Sequence, residues 1–371
     1  MAEITEGIDG ARKINCSNCG AELRFKAGTT ELGCDYCGTK NAIDVQAMEI
    51  AEQALDDFLK SSAAESTTEA VSVVECESCG ASNPFDDTAV GKSCVFCGGH
   101  LLVKDAARLE QIRPQAVIPF QIAHRDAIQR YQKWLHGLWF APNKLKRMQN
   151  LPDKLKGIYI PFWTFDADTA TSYTGMRGIR RSETENYTVT VNGKTENRTR
   201  TKTRVDWYPA SGNVNHFFDD ELVLANDALP AAITQQLHPW QLNALLPFDH
   251  DFLRGYLVES YNINLEQGFA IGRQQMEEQI RNFVRRDIGG DEQRITSMNV
   301  KWDKLTFKHI LLPVYVSAYR YNGKPYRFLV NGQSGKVQGE RPYSFWKIAG
   351  AVALGLIVLT ALYLLLDGAS A

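Results

Sequence analysis

All eight cysteines of this chain fall into four Cys-x-x-Cys pairs, and the pairs repeat one frame twice. Cys16, Cys19, Cys34 and Cys37 are followed, sixty residues on, by Cys76, Cys79, Cys94 and Cys97. Both frames read C-x2-C-x14-C-x2-C, the ligand spacing of a four-cysteine zinc ribbon. A tetrahedral zinc ion takes four thiolates, and two residues between ligands let a tight turn present both sulfurs. Glycine follows the second cysteine of every pair (Gly20, Gly38, Gly80, Gly98), where a knuckle turn favours a positive φ. A disulfide framework or a redox pair does not explain two matched quartets. The expectation is two structural Zn2+ sites, each closed by its four thiolates with no open position for catalysis.

Zinc ribbons are too small to fold by burial alone, so metal binding supplies most of their folding free energy. Their charge limits the partners. Residues 1–104 carry 17 acidic and 8 basic side chains, whereas the remainder carries 26 and 33. Nucleic-acid binders show the reverse, because phosphate contacts need clustered Lys and Arg.

No apolar run opens the chain within residues 1–15, so no signal peptide is expected. Ile348 to Leu366 contains nineteen uncharged residues. At about 1.5 Å per residue this stretch spans about 28 Å, close to the hydrocarbon thickness of a bilayer. Arg341, Tyr343, Phe345, Trp346 and Lys347 precede it, which suits a cytoplasmic membrane interface. The reading is a single-pass anchor in the inner (cytoplasmic) membrane, with the bulk of the chain in the cytoplasm. Reduced thiolates agree with that compartment. Small residues four apart (Ala349/Ala353 and Ala351/Gly355) add a weak cue for homo-oligomers.

The expected fold class is α+β: two N-terminal four-cysteine zinc ribbons, a central antiparallel-sheet α+β domain and one C-terminal transmembrane helix. The divisions are ribbon 1 (1–43), an acidic helix and linker (44–75), ribbon 2 (76–104), the α+β domain (113–342) and the membrane helix (348–366). The ribbons read as two beads on an acidic string, joined by a helix over 44–60. Periodicity predicts helices over 124–140 and 265–288, and a region broken by Pro230 and Pro239 within 227–246. Asn192-Gly193, Asn322-Gly323 and Asn331-Gly332 are hairpin cues. Segments 158–167 (IYIPFWTFDA) and 310–319 (ILLPVYVSAY) echo one another and read as equivalent strands with proline at the strand start.

Chemistry-bearing motifs outside the cysteine frames are sparse. The chain has no G-x4-G-K-[ST] loop, no G-x-S-x-G elbow and no H-E-x-x-H. His100, His124, His136, His216, His238, His250 and His309 are scattered without ligand spacing. Asp219 and Asp220 are adjacent on a strand and should face apart, whereas Asp166 and Asp168 should share a face and could meet a cation. Arg198, Arg200, Lys202 and Arg204 alternate with threonines. They read as a solvated strand protected from edge pairing, or as a positive ribbon for anionic lipid, an acidic partner or the chain's own acidic ribbons.

With these pieces in place, the chain resembles a bacterial family of membrane-anchored zinc-ribbon proteins, often catalogued as primosomal protein N-prime (replication factor Y) helicase-like or as transcription-factor-type zinc-ribbon proteins. The cysteine frames, YIPFWTFDAD (159–168), VDWYPASG (205–212), FDDELVLA (218–225) and residues 308–344 with the apolar tail carry the likeness. The helicase label reflects the paired cysteines, because the motor motifs are lacking. The resemblance implies a membrane-bound zinc-ribbon protein that recruits an SPFH or phage-shock-type membrane protein. The function expected from residues and resemblance together is a non-enzymatic adaptor, in envelope stress or membrane organisation, presenting two zinc ribbons to a protein partner. The alternative is a nucleic-acid-binding protein linked to replication or transcription, and a third reading is an enzyme with a pocket collecting Asp166, Asp168, Asp219 or Asp220.

Overall fold

A computed structural model describes residues 14–44, 50–60, 68–77, 82–84, 94, 96, 99, 107–143, 155–191, 194–229, 231–321 and 324–368. Around the first four cysteines, β1 (Arg24–Phe25), β2 (Glu31–Gly33) and β3 (Lys40–Ala42) form a small antiparallel sheet. β4 (Gln53–Ala54) runs into α1 (Leu55–Lys60). A second small sheet places β5 (Thr68–Glu75) between β6 (Ser82–Pro84) and β7 (Ala107–Ile112). β8 (Ala116–Val117) and α2 (His124–Gly137) lead to two very long strands, β9 (Lys156–Val191) and β10 (Lys194–Leu224). Then come α3 (Ala231–Gln235), β11 (Leu246–Pro247), β12 (Leu257–Val258), α4 (Leu265–Ile288), β13 (Glu292–Tyr321), β14 (Lys324–Asn331), β15 (Val337–Gly339) and α5 (Phe345–Gly368). The fold is α+β, built on a large, mainly antiparallel sheet in the order β10-β9-β13-β14-β15.

The two echoing segments are the centre of this sheet. They pair with each other antiparallel, Leu312 opposite Ile160 and Pro313 opposite Tyr159. The prolines lie inside their strands, not at the strand start as the sequence suggested. Each sits where the outer neighbour changes. β12 pairs with β9 up to Tyr159 and β10 takes over at Phe162, leaving Pro161 at the seam. Likewise β8 pairs with β13 up to Leu311 and β14 takes over at Val314, leaving Pro313 at the seam. A residue without an N–H is tolerated there because no outer ladder requires one. Each proline carbonyl instead accepts a bridging N–H, from Ala225 to Pro161 and from Gly332 to Pro313.

Every residue from Ile158 to Ala167 is buried, so both faces of the sheet centre are covered. On one face α4 presses against Trp163, Phe165 and Ala167. Gly268 and Gly272 permit this approach: a Cβ would lie 2.5 Å from the Trp163 ring at the first and 2.9 Å from the Phe165 ring at the second. Asn264 and Gln267 close a capping box that starts α4 where the sequence places it. α2 ends at Gly137, three residues short of the predicted 140.

Of the helix predicted over 44–60, the last six residues are helical, Gln53 and Ala54 are extended, and residues 45–49 lie outside the described residues. Gln53 and Ala54 pair with Phe307 and Thr306 of β13, and only α1 is helical among the described residues of that segment. The bead picture of ribbon 1 also gives way. Phe25 packs on Phe252 at 5.5 Å and lies 6.4 Å from Tyr256, while the Gly28 N–H donates to the Phe120 carbonyl at 2.8 Å.

β13 begins opposite Gly178, so beyond that point β9 and β10 continue, among the described residues, as a two-stranded arm. At ~3.3 Å per residue the arm extends about 40 Å. Two residues of its basic strand are paired locally. Arg200 meets Glu185 at 2.8 Å, and Arg204 meets Asp206 at 2.8 Å and Glu183 at 3.5 Å. Ribbon 1 docks near Tyr159, at the other end of β9, so it does not cover this strand.

Candidate metal centre

The first Cys-x-x-Cys frame converges. The four sulfurs of Cys16, Cys19, Cys34 and Cys37 all lie within 4.8 Å of one another, with Cys16–Cys37 at 3.4 Å and Cys19–Cys34 at 3.5 Å. A tetrahedral ion with metal–sulfur bonds of about 2.3 Å requires sulfurs about 3.8 Å apart. The donor set therefore fits one four-coordinate metal ion.

The two halves of the cluster share one backbone design. Cys16 N–H donates to Ala21 O and Cys34 N–H to Thr39 O; Gly20 and Gly38 N–H donate back to Cys16 and Cys34 O. Gly20 and Gly38 adopt φ of +74° and +75°, the left-handed turn anticipated for a knuckle. Cys16 and Cys34 are buried among Leu23, Phe25 and Leu32, whereas Cys19 and Cys37 face outward.

Electrostatics favours a cation there. The Thr39 hydroxyl and N–H hold Cys37 down to about 5, and the Asn18 N–H lowers Cys16. Cys19 is pushed up to about 12: the Ala21 N–H favours its thiolate, but the sulfurs of Cys34 and Cys37 oppose it. Four adjacent sulfurs cannot all ionise alone, and a divalent ion removes that conflict.

In the second frame, Cys79 and Cys97, like Gly80 and Gly98, lie outside the described residues. The part that is described follows the first frame. Cys94 N–H donates to Gly99 O, five residues on, as Cys34 does to Thr39, and Phe96 N–H points at Cys94 Sγ at 3.4 Å. Cys76, Cys94 and Phe96 are buried with Ile158, Ile160 and Leu312.

Three of the four carboxylates singled out in the sequence meet lysines. Thr306 lies opposite Asp166, and register shifts on both flanking strands, between Phe218 and Glu221 and between Asp303 and Thr306, occur beside it. These shifts turn Asp220 and Lys304 into left-handed conformations (φ 54° and 48°). Lys308 Nζ then sits 2.7 Å from Asp220, 3.0 Å from Glu52 and 3.5 Å from Asp166. Asp168 takes Lys304 at 2.8 Å, and Asp219 is exposed. Sequence reasoning missed Lys308 and Glu52, since no spacing rule anticipates two bulges side by side. Two cavities of about 320 and 270 Å³ lie away from this cluster, lined by Arg273, Glu277 and Ser297 and by Phe162, Leu224 and Ile271.

Two buried titrations near this cluster oppose one another. Burial pushes Asp166 up to about 6, so its stabilising effect is full below 3.8 and is lost as pH rises through 6. Burial holds His309, its ring tilted against Trp163, down to about 4, so its effect is present above 6.5 and is lost as pH falls through 4. In the native chain these trends offset each other. Asp166→Asn should therefore lose stability from pH 7 to pH 4, and His309→Gln should gain it, each by roughly 1–3 kcal/mol. Thermal unfolding of both variants across that range checks the signs, and the opposite order would refute the assignment.

α5 is long and apolar enough to cross a membrane over Phe345–Tyr363, and every side chain from Ala351 to Tyr363 is exposed. Ser344 N–H donates to Phe140 O, so the helix starts beside the turn that follows α2.

In comparisons with known proteins, the chain is similar to the uncharacterized protein YdjG of Bacillus subtilis (strain 168), 27% identical over 342 residues, 90% of this chain and 91% of that protein. No family model and no solved structure matches the chain.

Proposed function

We propose that this protein is a non-enzymatic, membrane-anchored zinc adaptor. Zinc fills the Cys16, Cys19, Cys34, Cys37 cluster, and Cys76, Cys79, Cys94 and Cys97 hold a second zinc ion. α5 anchors the sheet domain to the inner membrane from the cytoplasmic side. The observation that carries this reading is the combination, on one chain, of a thiolate cluster packed against the sheet core and an apolar helix left fully exposed. An apolar helix without protein cover is stable in a bilayer and costly in water.

The metal in this reading is structural and the contact surface lies around it. Tyr36, between Cys34 and Cys37, is 86% exposed on the outer knuckle. A protein partner of the SPFH or phage-shock type, as the resemblance implies, would meet that knuckle. The non-enzymatic reading is supported by Asp166 and Asp220, whose charges are engaged by Lys308. Affinity capture from detergent-solubilised membranes tests the proposal. Tyr36→Ala and chelation should each remove the same partners, and a partner set indifferent to both would sink it.

The nucleic-acid alternative would have to use the arm, where Arg198, Arg200, Lys202 and Arg204 are exposed. Glu183, Glu185 and Asp206 pair with Arg200 and Arg204, which weakens the field of the strand at these two positions. A gel shift at low salt should show no retardation of duplex or single strands.

A further inference from the structure

The turn after α2 is short and apolar on its outside. Leu138 and Ala141 are buried in the core that holds α2, whereas Trp139 is 78% exposed and Phe140 39%. Its outer rings point away from the sheet yet have a neighbour of like character. Ser344 N–H donates to Phe140 O at 2.8 Å. Lys347 Nζ donates to Trp139 O at 3.2 Å, Ala141 O at 2.8 Å and Asn143 Oδ1 at 2.7 Å. The first turn of α5 is thereby fastened to a turn some two hundred residues earlier. Tyr343, Phe345 and Trp346, also exposed, lie in the segment so fastened, at the base of the apolar helix.

We propose that the Trp139–Phe140 turn is a second membrane contact, seated in the headgroup and acyl boundary of the leaflet that α5 enters. This rests on the reading of α5 as a membrane span. The occupant follows from continuity, since the turn adjoins the helix that would lie in lipid. It follows also from chemistry, because Trp offers an apolar body with one polar N–H and favours that zone on both counts. Lys347 would ordinarily reach for lipid phosphate, but its ammonium is occupied by three acceptors of the turn. Its role is to lock the junction. A single helix on a free joint would let the domain swing, whereas two contacts joined by Lys347 set one orientation of the sheet, and therefore of the metal cluster, above the bilayer.

Full-length protein reconstituted into phosphatidylcholine–phosphatidylglycerol vesicles, with bromine near the carbonyl end of the acyl chains, tests this through tryptophan quenching. The native protein is expected to be quenched. Trp139→Phe and Trp346→Phe should each remove roughly half of the lipid-quenched signal, because both indoles would sit at the interface. Quenching lost in Trp346→Phe but unchanged in Trp139→Phe would overturn the second contact while leaving α5 in the membrane. No quenching of the native protein would overturn both. Circular dichroism of each variant, matching the native spectrum, confirms that the fold is retained.

Discussion

Removing the metal, or replacing Cys34 with serine, is expected to lower the unfolding temperature of the whole sheet domain, not merely to unfold a detached ribbon. Cys16, Cys34, Leu23, Phe25 and Leu32 belong to the same buried cluster as Phe120, Tyr159, Phe252 and Tyr315. Apparent zinc-binding energies in small Cys-ligand domains are about 10–16 kcal/mol, and most of that is consumed in ordering the ribbon itself. Loss of the packed ribbon should leave the core short of roughly 3 kcal/mol, from the exposure of Phe25 and Phe252 alone. For a domain of this size that corresponds to a fall of about 6–12 °C. Thermal unfolding in detergent, with metal content measured in parallel, reads the effect. A core transition that ignores chelation would show that ribbon 1 is an independent bead after all. Phe25→Ala gives an internal comparison, because it weakens the docking contact while leaving the four ligands in place.

The second large effect is expected at Lys308. Its side chain is 7% exposed and Asp166 is 3% exposed, with Asp220 and Glu52 completing the group. Lys308→Met would leave carboxylates at a buried position without their cation, a change that costs about 3–5 kcal/mol. Adding Asp166→Asn to Lys308→Met should recover a substantial part, because the uncompensated charge is then gone. Glu52→Gln alone should cost no more than about 1 kcal/mol, since Glu52 is 41% exposed and its pairing is screened. Denaturant unfolding of the four proteins measures this. A Lys308→Met variant as stable as the native protein would mean that the cluster titrates to neutrality instead of holding charge.

Much of this architecture was readable along the chain, for reasons that differ from element to element. α4 was legible because its apolar stripe and capping box are local, and its observed limits agree with the prediction. The Asn192-Gly193 and Asn322-Gly323 hairpins were legible because turn chemistry sets register: Val191 pairs with Lys194 and Tyr321 with Lys324. Within 44–60 the helix was legible over Leu55–Lys60, but Gln53 and Ala54 were misread because an edge of β13 accepts them in place of a helical turn. The Lys308 cluster was invisible because it needs two adjacent bulges and three chain segments.

By itself, the sequence determined the first four-cysteine cluster, the α+β character and the apolar helix, because ligand spacing, strand and helix periods and a nineteen-residue uncharged run are properties of neighbours along the chain. Only the tertiary structure decided that the first cysteine cluster packs into the sheet core, that Asp166 and Asp220 face a shared lysine, and that Trp139 lies beside the base of α5. Each of those depends on which distant segment covers a given face. That is settled by burial and hydrogen bonding across the sheet, which no local period encodes.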